Sequence, residues 1–132
     1  MLHLDTSTII EILRFRKNAL LHFELNSTAD MRVSSIVVAE LWAGAHAAGV
    51  NSYKTARLQE LLSFLEVVPF NHSSAQIAGQ IRVELAKKGA EIGSLDVLIA
   101  AAAIDDGATL VSCDTKHFRR VKDLAVIDWS KP

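Results

Sequence analysis

The sequence predicts an α/β fold, in which a short central parallel sheet of four to five strands is flanked by helices on both faces. Short apolar segments with strand character alternate along the chain with longer segments whose apolar residues recur at helical spacing. The strand segments are short and largely apolar, which is typical of parallel strands that are buried on both faces. With 132 residues, the chain is long enough for one core and too short for two, so we expect a single domain over residues 1–132.

Five segments have the composition of short buried strands. They are residues 2–5, 32–34, 66–69 and 109–112, together with residues 124–128, which we expect at an edge of the sheet. In sheets of this kind, ligands bind beyond the carboxyl ends of the strands. The residues that directly follow these strands are therefore candidates for a functional site.

Six further segments have helical spacing of apolar residues. The first three are residues 6–16, with Ile9, Ile10, Ile12 and Leu13 facing inward, residues 19–25, and a helix from a cap at Ser34 or Ser35 to residue 48. The other three are residues 52–65, a helix from a cap at Ser73 or Ser74 to residue 88, and a helix from a cap at Ser94 to residue 106. Serine favours these positions because its hydroxyl accepts a hydrogen bond from the first turn. Gly89 and Gly107 are expected to end the last two helices.

The composition excludes several classes of protein. Half of the residues are hydrophobic and 22% are charged, which argues against disorder. No apolar run reaches the roughly 18 residues of a membrane-spanning helix, and no signal-like segment opens the chain, so we expect a cytoplasmic protein without a membrane partner. The single cysteine, Cys113, has no partner for an internal disulfide, and the absence of a Cys/His motif argues against structural zinc.

The formal net charge of −1 does not by itself indicate a nucleic-acid-binding protein. The cations are locally clustered, however, in one group of Arg14, Arg16 and Lys17 and a second of Lys116, Arg119, Arg120 and Lys122. An acidic pocket with a basic rim would suit a substrate that carries phosphates. The alternative is that both groups are solvated helix ends, whose cations complement the helix dipole.

Four acidic residues stand next to apolar segments that would otherwise be core. Asp5 ends the first strand, Glu40 interrupts an apolar helix, Asp96 opens the most hydrophobic helix and Asp114 follows the fourth strand. Carboxylates in such places are costly unless they are paired, and a divalent metal ion is the usual partner of several together. If the fold brings these four residues to one place, the pattern predicts a metal-dependent hydrolase.

Each acid also has a structural alternative. Asp5 is placed to cap the first helix, and Asp114 is placed to serve a turn. Asp96 lies in a first helical turn, where it would complement the helix dipole. Glu40 is the hardest to explain in this way, although a pairing with Arg82 would do so.

The stretches around the four acids carry further information. They are Leu4-Asp5-Thr6-Ser7, residues 34–44 with the pair Glu40-Leu41, residues 81–96, which lead into Asp96, and residues 110–118, which end in His117-Phe118. In this order, they resemble the motifs of PIN-domain ribonucleases, particularly the VapC toxins of bacterial toxin–antitoxin pairs. The resemblance covers nearly the whole chain. Close relatives often carry Asn where this chain has Asp114 and Pro where it has Ser94, but neither departure removes a carboxylate.

The resemblance implies a PIN-like domain with the activity of a metal-dependent endoribonuclease toxin. Mg²⁺ or Mn²⁺ would be held by the four acids, with Asp5 and Asp96 as the best direct ligands. Glu40 would be a ligand or would orient a bound water, and Asp114 would complete the cluster or hold a second, weaker ion. The side chains expected to orient these carboxylates by hydrogen bonds are those of Thr6, Ser7 and Ser112.

The same resemblance implies the partners. RNA would be the substrate, with transfer RNA and messenger RNA both open, and the chain would form a homodimer. A cognate VapB-like antitoxin would neutralise the protein in a toxin–antitoxin hetero-oligomer, placing an Arg or Lys in the acidic pocket. The candidate substrate contacts are Lys116, His117 and Arg82, of which Arg82 is more simply explained as a surface ion-pair partner.

Two rival interpretations remain at this point. Haloacid-dehalogenase-like phosphatases need a second Asp two residues after the first, where this chain has Ser7, and response-regulator receivers would leave Glu40 and Asp96 unexplained. The other rival is a non-catalytic module that binds RNA or a protein partner, with the acids serving as a socket for a basic peptide.

Overall fold

The computed structural model describes residues 1–49 and 52–132. In this part of the chain, five parallel strands form one sheet in the order β3-β2-β1-β4-β5. The strands are β1 (Leu2–Leu4), β2 (Met31–Ser34), β3 (Glu66–Val68), β4 (Thr109–Val111) and β5 (Val126–Ile127). The predicted parallel sheet is confirmed, and the fifth strand lies at an edge as expected.

Helices connect the strands and cover both faces of the sheet. They are α1 (Thr6–Leu13), α2 (Lys17–Leu25), α3 (Ser35–Ala47), α4 (Tyr53–Ser63), α5 (His72–Lys88), α6 (Ser94–Asp105) and α7 (Thr115–Phe118), with a 3-10 turn at Thr28–Asp30. From β1 through β2 to β3 the strands advance in one direction, so right-handed crossovers place α1 to α4 on one face. The return from β3 to β4 places α5 and α6 on the other face. None of the described helices has the length and apolar character needed to span a membrane.

Several helix ends differ from the prediction, and three of the differences have a clear local cause. Helix α1 ends at Leu13 rather than at residue 16, because Phe15 adopts a left-handed backbone with φ of 54°. The N-cap of α5 is Asn71, whose side chain accepts a hydrogen bond from the Ser74 amide at 3.0 Å, rather than Ser73 or Ser74. Gly93, which has no capping side chain, precedes α6, so the expected cap Ser94 is instead the first helical residue.

Helix α6 is the central helix of the core. Its buried residues are Val97, Ile99, Ala100, Ala101, Ala102 and Ala103. The alanines have short side chains on several sides of the helix, which lets α6 lie close to both the sheet and α5. This packing fixes the N-terminus of α6, and with it Asp96, at the carboxyl edge of the sheet.

A network of polar side chains lies at the C-terminal end of α6, the end opposite to Asp96. His3 Nε2 lies 2.7 Å from Asp106 Oδ2, and Arg32 Nη1 donates to both Asp106 oxygens at 2.7 and 2.9 Å. Arg32 Nε also lies 2.9 Å from Glu66 Oε2, an ion pair whose angle does not make a hydrogen bond. The network joins three neighbouring strands to the last turn of α6, and sequence analysis did not predict it.

We expect His3 to make folding sensitive to pH. Burial lowers the pKa of His3 below its ordinary value of 6.5, more strongly than Asp106 raises it. As the pH falls through about 6.5, His3 therefore binds a proton in the unfolded chain but not yet in the folded protein. The folded state loses stability as a result. In chemical denaturation, the stability advantage of the wild type over His3→Gln should shrink from pH 7.5 to pH 5.5.

The measured quantity is the difference in unfolding free energy between the wild type and His3→Gln, so that the pH-dependent contributions of the carboxylates cancel. His72→Gln, at an exposed histidine that begins α5, is the matched control and should track the wild type at each pH. A constant difference between the wild type and His3→Gln across this range would contradict the assignment.

Candidate active site

The fold brings the four predicted acids to one region at the carboxyl edge of the sheet. Asp5 is the residue after β1, and Asp114 follows β4, the neighbouring strand. Glu40 projects from α3, and Asp96 lies in the first turn of α6. The charges of Asp5, Asp114 and Glu40 all raise the pKa of Asp96, so the four carboxyls are near enough to interact. Strand order places this region where the chain turns from one side of β1 to the other, the usual ligand site of such sheets.

Asp5 is the most deeply buried of the four acids, with 5% of its surface exposed. It occupies the N-cap position of α1, but its side chain makes no capping hydrogen bond, so the alternative explanation of Asp5 as a cap is wrong. One oxygen, Oδ2, instead accepts from the Ser112 hydroxyl at 2.7 Å and from the Ser7 hydroxyl at 3.0 Å. Burial raises the pKa of Asp5, and these hydrogen bonds lower it only in part.

The two serines that hold Asp5 are themselves fixed by backbone groups. Ser7 Oγ accepts a hydrogen bond from the Cys113 amide at 3.1 Å, and Ser112 Oγ accepts one from the Asp114 amide at 3.0 Å. Each hydroxyl proton is therefore directed at Asp5. The result is a rigid mount that leaves the other Asp5 oxygen, Oδ1, without a hydroxyl partner.

The serine mount gives a prediction about the charge on Asp5. Ser112→Ala removes a hydrogen bond that favours the ionised carboxyl, so the pKa of Asp5 should rise further above its ordinary value. A ¹³C NMR titration of the Asp5 carboxyl measures this shift. Ser63→Ala, at an exposed hydroxyl that bonds only to the Glu60 carbonyl, should leave the Asp5 titration unchanged. An unchanged Asp5 titration in Ser112→Ala would contradict the assignment.

Glu40 and Asp96 are both half-buried. The Thr6 hydroxyl donates to Glu40 Oε1 at 2.7 Å, which joins the start of α1 to α3 and orients the carboxylate. Asp96 makes no side-chain hydrogen bond within the described residues. Burial is the main cause of its raised pKa, and the negative charges of its neighbours add to it.

Asp114 differs from the other three acids because both of its oxygens have a partner in His117. Oδ1 accepts from the His117 amide at 3.4 Å, which caps α7, and Oδ2 lies 2.7 Å from His117 Nδ1. Burial pushes the pKa of Asp114 up, but the hydrogen bonds and charge of His117 outweigh it, and the net pKa is lowered. The turn role considered for Asp114 is therefore observed. Helix α7 itself was not predicted, because four residues carry no periodicity.

The three candidate substrate contacts differ in how directly they are connected with the four acids. His117 is held by Asp114, and Lys116 is exposed beside it on α7. Arg82 is exposed on α5 and lines a small cavity of about 100 Å³ together with Ser94. Among residues 1–49 and 52–132, Arg82 makes no salt bridge, so the expected surface ion pair is wrong and Glu40 is not neutralised in this way.

The donor atoms of the site suit a hard cation. All four acids offer oxygen, which Mg²⁺ and Mn²⁺ prefer. Across the described chain, no three His, Cys, Asp or Glu side chains are arranged as a ready set of direct ligands. Mg²⁺ commonly uses only one or two carboxylates and keeps several waters. The residues present therefore fit an ion bound partly through water. Among residues 1–49 and 52–132, neither Asp96 nor Asp5 Oδ1 accepts a hydrogen bond from another side chain, so these groups could hold it.

A second feature, which sequence analysis missed, is a groove of about 620 Å³ between α1, α3 and α4. We call it the α1–α4 groove. It is lined by Ile10, Leu13, Arg14, Phe15, Arg16, Leu41, Gly44, Ala45, Tyr53, Lys54, Arg57 and Leu58. The basic cluster at residues 14–17 was noted from the sequence, but Tyr53 and Arg57 join it only through tertiary packing.

Comparison with known proteins places the chain in a family. The model of the PIN domain matches residues 2–124. A protein named Ribonuclease VapC2 from Haemophilus influenzae is 35% identical over 126 residues, which are 96% of each chain. A protein named tRNA(fMet)-specific endonuclease VapC from Salmonella typhimurium is 34% identical over 127 residues, again 96% of each chain.

A solved structure agrees in fold over nearly the full length. It is the crystal structure of VapBC2 from Rickettsia felis bound to a DNA fragment from their promoter. The matched chain superimposes with a TM-score of 0.90 at 32% identity, covering 98% of this chain and 99% of that one. The family match includes all four acids and four of the five strands. By sequence and by fold, the chain belongs to the PIN-domain family, among its VapC ribonucleases.

Proposed function

We propose that this protein is an endoribonuclease toxin that hydrolyses phosphodiester bonds in RNA and depends on Mg²⁺ or Mn²⁺. The observation that carries the proposal is the meeting of Asp5, Glu40, Asp96 and Asp114 at the carboxyl edge of the sheet, with Asp5 held on a serine mount. The names of the similar proteins, ribonuclease and tRNA-specific endonuclease, support the reaction class. The Salmonella relative makes transfer RNA the substrate class that we propose first.

Each residue of the site has a separate role in the proposed reaction. Asp5 and Asp96 would hold the cation, Glu40 would hold it or orient one of its waters, and Asp114 would add negative charge at the edge of the site. When bound, the cation supplies a water of lowered pKa and offsets charge on the phosphate. Ser7 and Ser112 keep Asp5 in one orientation, and Thr6 does the same for Glu40. Lys116, His117 and Arg82 would attract the phosphates of the RNA.

The direct test is cleavage of total cellular RNA by the purified protein, with Mg²⁺ or Mn²⁺ and with EDTA. We expect discrete fragments that need the cation and disappear in Asp96→Asn. Asp30→Asn, at an exposed acid in the 3-10 turn, is the matched control and should cleave like the wild type. A folded protein that cleaves no RNA with either cation would instead support the non-catalytic binding module.

We also propose a VapB-like antitoxin as partner, in a hetero-oligomer built on a homodimer of this chain. The matched Rickettsia structure is a two-component VapBC complex, which supports such a partner. The acid cluster offers a socket for a cation from the antitoxin, because a guanidinium replaces metal charge and makes two hydrogen bonds to a carboxylate.

This partner gives a prediction about inhibition. An antitoxin segment whose inserted Arg or Lys is replaced by Gln should still bind the toxin but inhibit it poorly, since contacts outside the acidic site remain. Binding is measured by calorimetry and inhibition by RNA cleavage at saturating segment. Equal inhibition by the neutral segment would show that no cation is needed in the site.

A further inference from the structure

Asp114 is connected with Asp5 through its backbone rather than through its carboxylate. The Ser112 hydroxyl, which donates to Asp5 Oδ2 at 2.7 Å, accepts a hydrogen bond from the Asp114 amide at 3.0 Å. One hydroxyl therefore fixes both the carboxylate of Asp5 and the start of α7. The two side-chain oxygens of Asp114 are occupied by His117, at 2.7 and 3.4 Å. Asp114 thus lies at the site, but its oxygens hold a neighbouring side chain.

His117 lies close enough to the acids to act on them. Burial and the neighbouring carboxylates raise the pKa of Asp96, whereas the charge of His117 lowers it. The imidazole is also open to a substrate that reaches the acids, because 45% of the His117 side chain is exposed. His117 is therefore a group through which Asp114 can act on bound RNA.

The contact with Asp114 fixes which nitrogen of His117 carries the proton. A carboxylate accepts hydrogen bonds but does not donate them, so the Nδ1 atom at 2.7 Å has to be the donor. In the neutral imidazole, Nε2 then keeps its lone pair and is an acceptor. Among residues 1–49 and 52–132, no group makes a hydrogen bond to Nε2. The pair therefore holds one oriented, unoccupied acceptor next to the acids.

The pair has no net positive charge to offer a phosphate. The carboxylate of Asp114 cancels the charge that a second proton would give His117, so the two groups together are at most neutral. Attraction by charge is left to cations such as Lys116, which is exposed beside His117. An acceptor instead suits a donor, and the sugar–phosphate backbone of RNA carries one in the 2′-hydroxyl, which DNA lacks.

We propose that Asp114 is a positioning residue, which holds His117 so that Nε2 accepts a hydrogen bond from a 2′-hydroxyl of the RNA beside the scissile phosphate. The contact favours RNA over DNA and refines the phosphate contact given above for His117. The inference rests on the proposed ribonuclease function, because the cleaved strand brings the hydroxyl to the acids. In this arrangement, Asp114 need not bind the cation that Asp5 and Asp96 would hold.

Binding of two matched oligonucleotides tests the sugar contact. A fluorescein-labelled, single-stranded RNA dodecamer and its 2′-fluoro counterpart are titrated by fluorescence anisotropy with Asp96→Asn protein, which should not cleave them. The 2′-fluoro sugar keeps the RNA pucker but has no hydroxyl proton to donate. Adding His117→Asn retains an N–H group for Asp114 and removes the acceptor at the Nε2 position. The preference for RNA over the 2′-fluoro strand should then fall about fivefold, as for one lost hydrogen bond.

Two further variants separate this contact from other effects. His72→Asn, at an exposed histidine that begins α5, is the matched control and should keep the preference of its parent. Lys116→Gln should weaken the binding of both strands alike, because it removes a charge and not a hydroxyl contact. Circular dichroism melting shows that each variant is folded.

Asp114→Asn distinguishes a positioning residue from a metal ligand. The asparagine oxygen can still accept the His117 amide, but a neutral amide no longer fixes the proton on Nδ1. The preference for RNA should therefore fall towards that of His117→Asn. In otherwise wild-type protein, Asp114→Asn should keep the stabilisation by Mn²⁺ in thermal melts. A merely structural role would lower the melting temperature and leave the preference for RNA unchanged.

An unchanged preference for RNA in His117→Asn would overturn the proposal, and so would a parent that binds the two dodecamers equally or binds neither. Loss of the Mn²⁺ stabilisation in Asp114→Asn would show that Asp114 is a metal ligand, which also overturns it. If the wild type cleaves no RNA but His117→Asn still loses the preference, the proposed catalytic function fails and the sugar contact stands.

Discussion

Asp5→Asn is expected to reduce RNA cleavage by about 10³-fold, the upper range for losing one preorganised charged contact, and at the same time to stabilise the metal-free protein. Activity should fall because Asp5 is one of the two acids that we propose to hold the cation. Stability rises because burial and the charge of Glu40 disfavour an ionised carboxyl at this position, as the raised pKa of Asp5 shows. An amide carries no such charge.

The substitution keeps the local hydrogen bonds. Ser7 and Ser112 both donate to the same oxygen of Asp5, and the single carbonyl oxygen of asparagine accepts from both. Asp5→Ala is the informative contrast, because it leaves two hydroxyls without an acceptor at a cost of about 1–3 kcal/mol for a buried polar group. Melting temperatures in EDTA and initial rates of RNA cleavage measure both effects. An Asp5→Asn protein that is less stable than the wild type in EDTA would contradict this account of the site.

The sheet and the acid region were predictable because both depend on local patterns in the sequence. Short apolar runs predicted the strands. Asp5 and Asp114 both follow a strand, and because β1 and β4 are parallel neighbours, the two acids lie at the same edge of the sheet. Helix ends were harder. Asn71 caps α5 because its side chain reaches the Ser74 amide, whereas the Ser74 hydroxyl is occupied by Asn71 and Asp105.

The features that sequence missed depend on contacts between distant segments. His3 looks like part of an apolar strand, and only its distance of 2.7 Å from Asp106, which is 103 residues away, reveals a polar network. Phe15 looks like a core residue of a longer helix, and its left-handed backbone turns it outward instead. Arg57 comes from α4, so its stacking on Phe15 could not be read from either segment alone.

The carboxyls of Asp5 and Asp96 are expected to destabilise the metal-free protein increasingly as the pH rises, and Mg²⁺ or Mn²⁺ to offset this penalty. The pKa values of Asp5 and Asp96 are raised above 3.8 in the folded protein. At these two positions the folded protein therefore holds protons that the unfolded chain has released, and the contribution of Asp5 and Asp96 to stability declines as the pH rises from 3.8 through the raised pKa values. Below that range, the penalty disappears because both states are protonated.

A cation held by Asp5 and Asp96 as proposed would offset this penalty, because it would bind the ionised carboxyls of the folded state only. At a concentration of 100 times the dissociation constant, such binding adds about 2.7 kcal/mol to the free energy of unfolding. Protons compete with the cation for Asp5 and Asp96, so the gain measured by denaturation should be larger at pH 8 than at pH 5. Asp96→Asn should lose most of this gain, whereas Asp30→Asn should keep it. Equal stabilisation of the wild type and Asp96→Asn would show that the cation binds away from the acid cluster. That result would contradict the chemistry proposed for these four residues.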